Sequence, residues 1–275
     1  IDPKQIHIIS KIINTLSKLC MWDEIESYSP DLNRIGIEGK ALEPLTLMYI
    51  EDNPLNHLKR AIKYAKEKKR EELPNINCKN KNKINIGYFS SDFRDHPITH
   101  LLIRTLELHD KSKFKVYAYS LSNIKDSYTK RVKEAVSVFR EINTLSELEI
   151  VNVARNDQID IAIDLNGYTK SNRISIFSYR VAPIQINYLG YMGSLGLDSF
   201  DYIIADKLLI QDENKRFYSE EILYLPNSST PQINTEIIGR RIFTREELGL
   251  PADGFVYACF NRIEKITRRE FNIWI

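Results

Sequence analysis

From Ile84 onward, short β-rich runs alternate with helix-patterned segments, and this alternation restricts the fold more than any other feature of the chain. Candidate strands cover residues 84–89, 114–120, 137–142, 159–165, 184–189, 202–205, 222–225 and 255–260. Candidate helices cover 97–108, 127–135, 145–155 and 172–179, with a short one after Thr244. Strands separated by helices predict βαβ units, hence an α/β fold with a mostly parallel sheet and helices on both faces. In such sheets ligands sit beyond the carboxyl ends of the strands. Those ends are chemically rich here: Ser90-Ser91-Asp92, Asn166-Gly167-Tyr168, Gly190-Tyr191-Met192-Gly193, Asp206 and Asn261. Strand-to-helix turns use such residues anyway, but their collection along one edge favours a binding cleft.

Ahead of the alternation, residues 1–73 read as an α-helical segment, with Ile6, Ile9, Ile13 and Leu16 along one face. Residues 74–83, polar and opened by Pro74, read as a linker. The rhythm lapses over 226–243. The organisation expected is therefore a first α/β lobe over 84–243 and the beginning of a second over 244–275. Thr244-Arg-Glu-Glu247 and Thr267-Arg-Arg-Glu270 each have the form of a capping box. Ile1 is not a methionine, and the chain stops inside the helix opened by Thr267, so both ends read as cut.

A net charge of +2 on 275 residues gives no reason to expect nucleic acid or a membrane surface as the main partner. No apolar run approaches the roughly 20 residues that span a bilayer. Cys20, Cys78 and Cys259 form neither a C-x-x-C pair nor a disulfide framework, which favours a reducing cytoplasm.

Motifs for P-loops, nucleophile elbows, zincins and dinucleotide folds are absent, as is any D-x-D pair. His7, His57, His96, His100 and His109 form no metal-binding pattern. His96 precedes Pro97, a residue favoured at the first helical position. The partial positive charge of a helix N-terminus disfavours imidazolium, leaving a neutral ring able to accept a proton or a hydrogen bond. Position alone leaves His96 open between that role and a plain helix cap. Asp92 can orient His96, bind a hydroxyl, act as a base, or merely make a turn. His100, one turn along, is expected to pack against the sheet. Lys265 lies just before the helix opened by Thr267, where backbone N–H groups and an ammonium would suit a diphosphate. A solvated loop lysine is the plainer reading.

Together these residues resemble the catalytic region of the O-linked N-acetylglucosamine transferases, including bacterial, SPINDLY-like members. The matching stretches are IGYFSSDFRDHPITHLL (86–102), DLNGYTKSNRISIFSYRVAPIQINYLGYMGSLG (164–196), DYIIAD (201–206), YSEEILYLPNS (218–228) and TREELGLPADGFVYACFNRIEKIT (244–267). The resemblance implies a GT-B fold of two Rossmann-like lobes with the nucleotide-sugar between them. It implies metal-independent, inverting transfer of N-acetylglucosamine from UDP-GlcNAc, as donor substrate, to Ser or Thr hydroxyls of a protein or peptide acceptor. No cofactor is implied. Carried over by position, Asp92 and His96 approach sugar and acceptor, with Pro97 beside them. Gly190, Tyr191 and Gly193, and Tyr168 near them, match the donor side. Lys265 matches the lysine that stabilises the leaving diphosphate, with Asn261 and Arg262 in its loop. Residues 1–73 then correspond to the helices joining a repeat region to the catalytic part.

Four departures stand out: Met192 replaces the proline of the family's G-Y-P-G turn, Arg262 replaces an amide, Thr267-Arg268 replaces the usual acidic-or-Thr then Pro, and Glu43 stands where animal enzymes have a histidine. Most uridine and ribose contacts in that family come from the second lobe, so this piece is expected to be inactive by itself. O-fucosyl or N-glucosyl transfer, and a non-catalytic helical-repeat binding module, are the alternative functions.

Overall fold

The computed structural model describes residues 6–71, 73, 74, 76, 81–231 and 239–275. At its centre is a seven-stranded, wholly parallel sheet in the order β3-β2-β1-β4-β5-β6-β7. The strands are β1 (Ile84–Ser90), β2 (Phe114–Ser120), β3 (Val138–Glu141), β4 (Ile161–Asp164), β5 (Ile184–Asn187), β6 (Tyr202–Ala205) and β7 (Glu221–Tyr224). The chain enters at β1, winds outward to β3, then returns to β1's other side and winds outward to β7. The winding reverses between β1 and β4, and α/β sheets bind ligands at such a switch point.

Helices α5 (Pro97–Leu108) and α6 (Ser127–Ala135) cover one face, where Leu102, Ile103, Leu106 and Val132 meet Ile86, Tyr88, Ala118 and Ile163. Helices α7 (Glu147–Asn156) and α8 (Ser175–Ser178) cover the other, with Ile150, Ala154 and Phe177 against Phe89, Tyr119 and Ala162. The central strands β1, β2, β4 and β5 are buried on both faces, which explains why their runs are apolar rather than alternating, whereas β3 and β7 at the edges are partly exposed.

The N-terminal part contains α1 (Ile6–Lys18), α2 (Trp22–Glu26), α3 (Ser29–Leu32), a 3-10 helix Pro44–Tyr49 and α4 (Pro54–Lys68). Ile9, Ile13, Ile35 and Leu47 form its own small core. Helix α4 belongs to both parts. Its Arg60 is fully buried against Glu51 and the carbonyls of Leu32 and Ile35, while its Ala61 and Ala65 join the core of the sheet. The helical segment expected over residues 1–73 is therefore packed against the sheet through α4. Much of the expected 74–83 linker lies outside the described residues. Lys81, at its end, is tied to Asp160 at 2.8 Å.

Two expectations over 244–275 are corrected. Residues 255–260 form no strand: no other strand lies alongside them among the described residues, so their β-type side chains have no ladder to join. Phe255, Tyr257 and Phe260 are 80%, 83% and 100% exposed. The helix expected after Thr244 is a single turn, closed by the Thr244–Glu247 pair and ended by Gly249 at φ +64°. The second capping box does open a helix, α9 (Arg268–Trp274). Between these, Ile263–Lys265 is a short 3-10 helix.

Candidate active site

The crevice at the switch point is walled by two loops, one after β1 and one after β4. Asn166 sews them together: its Oδ1 accepts from the Ser91 backbone N–H at 2.8 Å, and its Nδ2 donates to Ser91 Oγ at 2.8 Å and Asp92 Oδ2 at 3.1 Å. Asp92 Oδ2 also accepts from Ser91 Oγ (3.2 Å), and Oδ1 accepts from Arg94 Nη2 (3.0 Å). The hydroxyl of Thr99, on α5, donates to the Asp92 carbonyl. Asp92 is thus a buried carboxylate whose two oxygens are both engaged by neighbouring donors, which fixes the loop around it.

His96 is the N-cap of α5. Its Nδ1 accepts from the Ile98 backbone N–H at 3.3 Å, so the neutral ring carries its proton on Nε2, which faces Asp92 Oδ1 at 3.8 Å. Burial pushes the imidazole below its ordinary pKa; Asp92 opposes this, and Arg94 and His100 add to it. The sequence left cap and chemical group as alternatives, and the geometry shows that capping uses one nitrogen while the other faces the crevice carboxylate. Pro97, exposed at the first helical position, fixes the turn that presents the ring. His100 does not pack against the sheet. Asp95 holds its Nε2 at 2.7 Å, and it stacks on Tyr128 at the surface, with ring centroids 4.4 Å apart.

Asp164 closes β4. Its side chain accepts from the backbone N–H groups of Asn166 (3.2 Å) and Gly167 (2.7 Å), shaping the loop that carries Asn166. Burial raises its carboxyl to about 6 against the pull of those two N–H groups.

After β5, the chain doubles back through residues 188–197. A Cβ on Gly190 would lie 2.0 Å from the Leu165 carbonyl, so only glycine lets this turn touch the β4 loop. Gly196, at φ +62°, abuts the backbone of α4, where a Cβ would lie 2.5 Å from the Ile62 nitrogen. Tyr191 and Tyr168 are core residues: their rings pack edge-on at 5.4 Å, and the Tyr168 hydroxyl donates to the Leu195 carbonyl. They support the turn from beneath, and a side-chain contact with a ligand is closed to both in this arrangement. Gly193 leaves room for the Tyr191 hydroxyl. Met192, in place of proline, is held through its carbonyl by Tyr218 (3.1 Å).

Sequence reasoning missed Glu220. It is buried beneath the same turn, accepting from the Leu195 N–H (2.6 Å) and from the hydroxyls of Ser194 (2.8 Å) and Ser219 (3.1 Å). Burial raises its pKa against those bonds. A lone Glu between Ser219 and Glu221 carries no local signal of burial, and Asn166 was visible only as a turn residue.

Asn261, Arg262 and Lys265 stand apart from this group. Asn261 Oδ1 accepts from the Arg262 N–H at 3.0 Å, and the Arg262 guanidinium pairs with Glu264 at 3.2 Å, which offsets its charge. Lys265 makes no ion pair among the described residues; its Nζ lies 5.7 Å from the Tyr49 ring centroid. The N-cap position of α9 is occupied by its own capping pair, Thr267 and Glu270. Among the described residues no three His, Cys, Asp or Glu side chains gather as a metal site, and no helix is long and apolar enough to cross a membrane.

Residues 60–231 match the sequence pattern of Glycosyl transferase family 41. The chain is 33% identical over 198 residues to the probable UDP-N-acetylglucosamine–peptide N-acetylglucosaminyltransferase SEC of Arabidopsis thaliana, covering 70% of this chain and 20% of that protein. It is 32% identical over 198 residues to the probable enzyme of that kind named SPINDLY from the same plant, covering 70% of this chain and 21% of that protein. The chain thus spans about a fifth of the length of these curated relatives. A solved mutant of the Thermobaculum terrenum O-GlcNAc transferase superposes with a TM-score of 0.78 at 25% identity, over 99% of this chain and 53% of that one. The sheet described above is therefore the Rossmann-like first lobe of that GT-B architecture, and the chain belongs to glycosyl transferase family 41.

Proposed function

We propose that the full-length protein is a protein O-GlcNAc transferase, moving N-acetylglucosamine from UDP-GlcNAc to Ser or Thr hydroxyls with inversion and without a metal. The observation that carries this reading is the Asp92–Asn166–His96 group at the switch point of a family 41 lobe. Its oriented, neutral imidazole and engaged carboxylate suit binding of sugar and acceptor hydroxyls. The acceptor oxygen forms its bond to the anomeric carbon as the bond to the diphosphate breaks. UDP leaves with the electron pair, and the hydroxyl proton passes to water. In this geometry His96 offers Nε2–H, so it serves as a hydrogen-bond donor in the crevice rather than as the base.

The backbone of Gly190 and Gly193 is assigned to the donor, with Tyr168 and Tyr191 as its support. Lys265 is assigned to the leaving diphosphate, where a cation stabilises the developing charge, and Asn261 and Arg262 border it. Residues up to about 73 join a helical-repeat region to this lobe. The free thiols of Cys20 and Cys259 suit a cytoplasmic protein.

The test is a donor screen on the purified full-length protein. UDP-GlcNAc, GDP-fucose and UDP-glucose are offered with candidate acceptor proteins, and acceptor mass is read. Addition of N-acetylhexosamine from UDP-GlcNAc alone is expected. Transfer only from another donor, or none at all, overturns the reading.

A further inference from the structure

Lys265 is fastened to the N-terminal helices, not to the sheet. Trp22, the first residue of α2, donates its Nε1–H to the Ile266 carbonyl at 3.2 Å, across 244 residues of sequence. Its ring packs on Phe271 of α9 with centroids 5.1 Å apart. Arg268, at the start of α9, pairs with Asp23 and, at 3.4 Å, with Glu26. Tyr49 lies under the Lys265 ammonium. A cavity of about 240 Å³ remains between Trp22, Leu32, Tyr49 and Ile266. The joint is therefore partly open, held by the Trp22–Phe271 ring contact together with the directed contacts of Trp22 and Arg268.

The far side of the same 3-10 helix reaches the other half of the site. Leu45 and Met48 pack against the core cluster that contains Tyr168 and Tyr191. Asn172, in the β4–α8 connection, donates to Glu43 at 3.5 Å. The helix Pro44–Tyr49 is about 10 Å long at the usual 3-10 rise. Leu45 and Met48, three residues apart, share one face of it and Tyr49 lies on another, so the helix touches both the cluster that supports the turn and the lysine.

We propose that the N-terminal helices act as a strut fixing the Lys265 ammonium relative to the 190–193 turn, with Trp22 and Tyr49 as its positioning residues. The inference rests on the leaving-group role assigned to Lys265 above. Trp22→Phe keeps the ring and removes the bond to Ile266. Tyr49→Leu keeps bulk and removes the aromatic face. Both residues contact the Lys265 loop, Trp22 through Ile266 and Tyr49 through the ammonium, so the expected action of each is through the lysine.

The test is a double-mutant cycle in the full-length transferase, with Lys265→Ala as the shared background and kcat, donor KM and melting temperature measured. Trp22→Phe is expected to lower kcat about 10- to 100-fold, as displacement of a catalytic group does, with donor KM within about twofold. In the Lys265→Ala background it is expected to change nothing further. Tyr49→Leu repeats the experiment should Trp22→Phe fail to fold. Wild-type kcat in the folded variants, or equal losses in both backgrounds, overturns the strut. Lys265→Ala at wild-type turnover instead overturns the leaving-group reading itself, so the two failures are distinct.

Discussion

His96 has two duties that one substitution separates. Asparagine is a good N-cap, so His96→Asn is expected to leave the melting temperature within a few degrees of wild type while transfer falls about 100-fold, the loss typical of a missing polar group in an active site. The wild-type rate should also fall on the acid side, below the ordinary histidine pKa. Protonated Nδ1 can no longer accept from Ile98, and the lowered pKa of the folded ring means that this proton binds the unfolded chain first. Asp164 has the opposite sign. Its carboxyl rises from 3.8 to about 6 in the fold, so its contribution to stability is fully present below pH 4 and is lost as pH rises through 6. Asp164→Asn does not titrate. Urea melts at pH 4 and pH 8 should therefore show the difference between variant and wild type shifting by about 2 kcal/mol in the variant's favour. The cap and the neutral ring of His96 were legible in the sequence, from Pro97 and the helix start, whereas the burial of Asp164 was not. Asp92 and His96 stood out because a polar knot follows an apolar run, whereas the partners that define their chemistry, above all Asn166, arrive from 74 residues away.

At the scale of elements, the α/β alternation was legible because a parallel strand buried on both faces needs a continuous apolar run. The run at 255–260 has the same character, yet it stays unpaired because a strand exists only with a neighbour. Helix α8 is another case. A helix was expected over 172–179, but Asn172 spends its amide on the Thr169 carbonyl at 2.6 Å, and the helix begins at Ser175. Helix α4 shows what patterning does not reveal. Arg60 sits at a position that reads as polar surface, and it is among the largest fully buried side chains of the described residues. Arg60→Ala would leave Glu51 and two backbone carbonyls facing a void. A loss of about 3–5 kcal/mol is expected in denaturant unfolding, with α1 and the 3-10 helix Pro44–Tyr49 losing hydrogen-exchange protection before the sheet does.

At the scale of the molecule, helices, sheet and the Lys265 loop form one continuous body, and the cut the sequence suggested near residue 73 is bridged by α4. The residues assigned to donor and acceptor belong to different parts of it, which is why no short motif announces the site. The unpaired stretch 255–260 has a consequence for handling. An extended, aromatic, uncharged segment with free backbone donors and acceptors is a template for pairing with another copy of itself. The purified chain is expected to self-associate with rising concentration, and Phe260→Lys, at a fully exposed position, should shift light-scattering profiles toward the monomer without changing the melt. An unchanged profile would mean that the stretch is not the sticky edge. The consequence expected of the same six residues is thus colloidal rather than chemical: the solubility of the chain.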